Sequence, residues 1–282
     1  MPTSHFKRQY LISQRIIAIM LGRLKMSIDD CISAYTDMFP RIFGKKERLF
    51  KIKLSNGKMA YTFSSEKLKD AMCDILTKQN VPIDTKLDDG EVRPCKTSEC
   101  YLFLTRLLLT LNSFVCAMRA EDKSYARIRD YTVDGNVNHD PLTIADAALA
   151  TSAAAGFFAP LESGDITYIG AGLGRNNPIN EVWGEAVDIW ASENAAIQPL
   201  TKCVLSVGTG KSKKTPVSNS AYGFVTKTLV DIATETDSTA RLAEANIFRA
   251  WLNPGTENRY FRYESTPEFV WLVFDDSIDT TW

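Results

Sequence analysis

The sequence predicts an α/β fold in which a mainly parallel sheet is covered by helices on both faces, a three-layer α/β/α sandwich. Three observations carry this expectation. Two short runs, FVCAM (Phe114 to Met118) and CVLSVGTG (Cys203 to Gly210), are apolar nearly throughout, as strands buried on both faces are. Segments with apolar residues at helical spacing alternate with such runs. No internal repeat or low-complexity linker breaks the order.

Taken in chain order, Ile16 to Met38 reads as helix in two pieces. Ser27 with Asp30 has the form of a capping box, and Ile28, Cys31, Ile32 and Tyr35 follow at helical spacing. Phe50, Ile52 and Leu54 alternate, as do Met59, Tyr61 and Phe63, and Asn56-Gly57 between them predicts a β-hairpin. A helix follows from about Ser65, with Leu68, Met72, Ile75 and Leu76 on one face. FVCAM is the next strand. Thr143 can cap the helix TIADAALATSAA, whose alanines allow close packing on a sheet. The stretch Ala150 to Trp190 reads as the end of that apolar helix, a strand, a glycine-rich turn and a second helix. CVLSVGTG is then a buried strand ending in a glycine turn. Phe224 to Arg241 has Phe224, Val225, Leu229, Ile232 and Ala233 at helical spacing, and RYFRYE (Arg259 to Glu264) is a last short strand.

Composition excludes several classes of function. The chain has 282 residues, 45% apolar and 24% charged, as an ordinary globular protein does. A formal net charge of −1 lacks the basic balance that a nucleic-acid partner calls for. The six cysteines (Cys31, Cys73, Cys95, Cys100, Cys116, Cys203) are scattered. Cys95 and Cys100 have no second pair to complete a metal spacing, and the chain has two histidines. Thiols in a reducing compartment are the expectation, hence a cytoplasmic protein. The basic N-terminus MPTSHFKRQYLISQR has no apolar core of the length a secretory signal needs. One run, Tyr101 to Met118, approaches membrane-spanning length, but Arg106, Asn112 and its hydroxyls weigh against a span.

The segment Ala150 to Trp190, with ATSAA (Ala150 to Ala154) and NNPINEVW (Asn176 to Trp183) around its glycine turn, resembles the active-site segment of the patatin-like phospholipases, the fungal type above all. Other segments resemble the same family in the same order: Ile16 to Met38, FVCAMRAED (Phe114 to Asp122), SVGTG (Ser206 to Gly210) and TLVDIATETDSTA (Thr228 to Ala240). By this resemblance, residues 16–265 form a partial patatin-like domain. Residues 1–15 and 266–282 are unmatched, and 98–113 are a candidate insert, since joining Thr97 to Phe114 restores a continuous family-like strand.

The resemblance implies hydrolysis of lipid acyl esters by a Ser–Asp dyad, with lipid or phospholipid esters as partners, peripheral contact with membranes, and no cofactor or metal. The chain departs from that pattern in three ways. The family's oxyanion loop and first strand would precede the matched helix and are expected to be missing. Its Gly-Thr-Ser-x-Gly-Gly elbow falls on Tyr10 to Arg15, which puts Ile12 at the nucleophile and Ser13 one residue away, without the glycines that permit the sharp turn. Its Asp-Gly-Gly or Asp-Gly-Ala falls on Gly170, Ala171 and Gly172, so the dyad Asp is a glycine. Asp165, five residues upstream, would lie about 16 Å away along a strand. No catalytic residue is therefore assigned. The expectation is an acyl-hydrolase relative that is inactive as written, with a pseudoenzyme binding lipid or a partner as the alternative.

Several residues keep two readings. Gly170, Gly172 and Gly174 form either an anion-binding nest or a turn that needs positive φ. Gly208-Thr209-Gly210 is a phosphate cradle or a strand-end turn. Lys211, Lys213 and Lys214 touch anionic head groups or are a solvated loop. Arg175 meets a phosphoryl group or makes a surface salt bridge. His139, in NHDP, reads as a turn residue. Asn176 and Asn177 bond to backbone groups and hold the helix that carries Trp183.

Overall fold

A computed structural model describes residues 16–43, 61–91, 113–133, 142–154, 156–172, 174–190, 197–201, 203–208, 216–217, 220, 229–233, 235–251 and 259–264. The chain is mixed α/β and divides into two compact units, Met1–Asn176 and Asn177–Trp282.

The first described element of this unit is a helical turn that widens into a π-turn at Ile19–Arg23, closed by the Leu24 N–H donating to the Ile19 carbonyl. Lys25, at φ +52°, ends it. Helix α1 (Ile28–Phe43) then starts on the expected capping box: the Asp30 N–H donates to Ser27 Oγ at 3.1 Å, and Ser27 Oγ donates to the Asp30 carboxylate at 2.7 Å. It runs past Met38 and through Pro40. Helix α2 (Ser65–Lys78) is capped by Ser64, whose hydroxyl accepts from the Lys67 N–H. Its predicted face is the buried one: Leu68, Met72, Ile75 and Leu76 all lie in the core. Each such side chain contributes roughly 1.5–3 kcal/mol relative to exposure.

Four strands form one sheet in the order β2-β1-β4-β3: β1 (Phe114–Arg119), β2 (Tyr125–Arg129), β3 (Leu161–Ser163) and β4 (Ile166–Gly170). All three pairings are antiparallel, with Cys116 opposite Arg127, Ala117 opposite Gly170 and Glu162 opposite Thr167. This corrects the expected mainly parallel sheet. The apolar run of β1 is a true strand signal: Val115, Cys116 and Ala117 at its centre are buried, while Phe114 and Met118 are half-buried. Apolar periodicity reports burial and says nothing of a neighbour's direction. Both hairpins escaped the sequence reading. Ala120 to Ser124 turn β1 into β2, with the Asp122 carboxylate accepting from the Ser124 N–H at 2.8 Å. Gly164, at φ +56°, opens the two-residue turn from β3 to β4.

Helix α3 (Ile144–Ser152) packs on β1 and β4, α2 packs on α3, and α1 on α2, so the unit stacks outward from its sheet. All but one of the α3 residues are buried, as the alanine-rich sequence implies. Thr143 caps α3 as expected, its Oγ1 accepting from the Asp146 N–H at 3.1 Å and donating to the Asp146 carboxylate. Lys69 on α2 donates to the same carboxylate at 2.9 Å. Burial pushes the Asp146 pKa up, but the Thr143 and Lys69 hydrogen bonds and the Lys69 charge outweigh it, and the net shift is downward. A lowered native pKa adds stability that is present above the ordinary Asp value, near 3.9, and is lost as pH falls through the native value. Asp146→Asn is therefore expected to flatten the acid limb of a pH–stability curve measured by urea unfolding. Thr143→Ala is expected to cost about 1 kcal/mol at neutral pH.

The second unit begins with Asn177, whose Oδ1 accepts from the Ile179 N–H at 3.2 Å at the start of α4 (Ile179–Trp190). That is the backbone-bonding role expected of it. Among the described residues, its further elements are a 3₁₀ turn (Gln198–Leu200), β5 (Val204–Gly208), α5 (Leu229–Ala233), α6 (Asp237–Asn246), a second 3₁₀ turn (Arg249–Trp251) and β6 (Tyr260–Glu264). Strands β5 and β6 pair in parallel, Val204 opposite Tyr260. Phe248 is the centre of a small aromatic core, stacked on Tyr260 at 4.5 Å and Trp251 at 5.3 Å and met edge-on by Trp183.

Two expectations fail in this unit. CVLSVGTG does not form a buried strand: Leu205 is 62% and Val207 70% exposed, and burial alternates along β5. Val204, Ser206 and Gly208 on the other side of the strand are half-buried, so one face of β5 is open and the other only partly covered. Of the helical stretch expected over Phe224 to Arg241, residues 224–228 lie outside the described residues, and the rest holds two helices, α5 and the start of α6, not one. The Glu235 carboxylate bonds the Asp237 and Ser238 N–H groups, so the Glu-Thr-Asp-Ser run starts a new helix instead of continuing one.

Of the expected Asn56-Gly57 hairpin, residues 50–60 lie outside the described residues, but Tyr61 and Phe63 of its second strand are in a bend before α2, not a strand, where the Phe63 N–H donates to the Phe157 carbonyl at 2.8 Å. Tyr101 to Asn112 of the apolar run and residues 98–112 of the candidate insert lie outside the described residues. Phe114 to Met118 of the apolar run belong to β1. Among the described residues no helix is long and apolar enough to cross a membrane. Cys31, Cys73 and Cys203 are free thiols.

Candidate functional site

Within the first unit, the segment around Gly170 has the order its sequence implies, α3 then β4 then a turn, with β3 interposed. Gly170 is the last residue of β4 and lies opposite Ala117 of β1. Its N–H donates to the Ala153 carbonyl at 2.9 Å, just past the end of α3. A Cβ added at Gly170 would come within 2.9 Å of the Thr151 carbonyl oxygen and 3.1 Å of the Ala153 carbonyl carbon and the Ala154 nitrogen. All three neighbours are backbone, which cannot swing aside. The φ of Gly170 is not left-handed. Glycine is required here by close approach of two backbones, and its N–H is already committed, which removes it from an anion-binding nest.

The positive-φ requirement falls on Gly174 instead, at φ +95°. A side chain there would also collide with the Tyr125 hydroxyl. Next to it, the Arg175 guanidinium lies 4.2 Å from the centre of the Tyr125 ring and donates to the Gly174 carbonyl at 3.1 Å. Such a cation–π contact is worth about 0.5–1 kcal/mol at an exposed site. Tyr125 is a residue that sequence reasoning missed. It belongs to β2, and no local spacing ties it to the turn after β4.

The end of α3 supplies two buried hydroxyls. Thr151 Oγ1 donates to the Cys116 carbonyl of β1 at 2.7 Å, tying helix to sheet. Thr151→Val keeps the shape and leaves that carbonyl one bond short, with an expected loss of about 1–2 kcal/mol in urea unfolding. Ser152 Oγ is fully buried and has no hydrogen-bond partner. Among the described residues no base is hydrogen-bonded to it, and an unactivated hydroxyl is a poor nucleophile. The Cys31 and Cys73 thiols offer no better one. Burial, and then the Asp30 charge, push the Cys31 thiol above its ordinary pKa, and burial does the same for Cys73.

Asp165 sits exposed in the turn between β3 and β4, at the far end of β4 from Gly170, as the strand arithmetic requires. Among the described residues no three His, Cys, Asp or Glu side chains are grouped to hold a metal ion. Ile12, Ser13, His139, Thr209, Gly210, Lys211, Lys213 and Lys214 lie outside the described residues. Comparison with protein-family models finds no match to this chain, and comparison with curated proteins finds no similar sequence.

Proposed function

We propose that this chain is a non-catalytic relative of the patatin-like acyl hydrolases, keeping part of their scaffold without the groups that cleave an ester. The reading rests on the ordered resemblance from Ile16 to Glu264 and on one observation at the site. Where the family's dyad Asp is expected, Gly170 is packed against the backbone of Thr151 to Ala154 with no room for a side chain. A lost carboxylate replaced by an open space would be compatible with a rescued or remodelled enzyme. A position closed by main chain favours the non-catalytic form over an active lipid acyl hydrolase. In this reading α3 lying on β1 and β4 is one side of a three-layer α/β/α sandwich. Lipid acyl esters are the ligands it would meet, in the cytoplasm or at the surface of a membrane. Free thiols at Cys31, Cys73 and Cys203 fit a reducing compartment.

The test is direct. Incubated with a fluorophosphonate probe and with a short-chain p-nitrophenyl ester, the protein is expected to show no covalent label and hydrolysis no faster than the buffer. Loss of a catalytic group that works as a unit removes most of the rate enhancement. Stoichiometric labelling that disappears in Ser13→Ala or Ser152→Ala would overturn the proposal and name the nucleophile.

A further inference from the structure

We draw no further inference here: the strongest candidate, the exposed apolar face of the β5–β6 sheet carried by Leu205, Val207, Phe261 and Tyr263, carries nothing because nothing in the structure shows what covers it.

Discussion

Replacing Gly170 by Asp is expected to destabilise the first unit by at least about 3 kcal/mol and to create no esterase activity. Two costs add. The new Cβ would press on the Thr151 carbonyl at 2.9 Å and on the Ala153–Ala154 peptide, and overpacking of this kind costs about 1–3 kcal/mol. The carboxylate would then sit at a buried strand end beside the Thr151 carbonyl oxygen, which cannot donate to it, and the Ala154 N–H, already given to the Ser152 carbonyl, and an unpaired buried charge costs more again. Gly170→Ala isolates the first cost and is expected to lose about 1–3 kcal/mol. Urea unfolding of the two variants, read with an ester assay, separates the possibilities. A Gly170→Asp protein with an unchanged unfolding midpoint would mean that the backbone can make room. One that also hydrolysed the ester would show that a single substitution had emptied the site.

Replacing Arg23 by Met is expected to cost about 3 kcal/mol, the low end of the range for breaking a buried pair. The Arg23 side chain is 7% exposed. Its Nε donates to the Leu87 carbonyl at 2.7 Å, and its Nη2 donates to the Lys86 carbonyl at 3.1 Å and the Asp89 carboxylate at 2.7 Å. Met fills much of the same volume and satisfies none of these acceptors. Asp89, at 27% exposure, can regain water, which holds the cost to the lower end. The segment it clamps also meets the start of α3, through the Leu87 N–H to the Leu142 carbonyl and the Ile144 N–H to the Thr85 carbonyl. Hydrogen exchange in the variant should therefore speed up first at Leu87 and Ile144. Unchanged protection at both amides would show that the clamp contributes little.

How far the fold is legible in the sequence depends on the range of each interaction. The Ser27–Asp30 box, the Thr143 cap and the buried face of α2 act within about one helical turn, so spacing alone exposes them. The β3–β4 turn was also locally marked: Gly-Asp between two short strands is a hairpin signal, and the strand before it, three residues long, was too short to stand out. Arg23 carried no signal at all. Its partners are 63 to 66 residues away, and LGRLKM looks like any amphipathic stretch. The Arg175–Tyr125 contact is hidden for the same reason.

By itself, then, the sequence determines where helices start, which of their faces turn inward, and that residue 170 is a glycine at the end of a strand. Tertiary structure alone decides that the strands around β1 run antiparallel, that β5 is half exposed, and why residue 170 must be glycine. The physical reason is one of distance along the chain. Caps and amphipathic faces are local, whereas strand direction and the space at a Cα depend on which distant backbone comes to lie beside it, here that of Thr151 to Ala154 against Gly170.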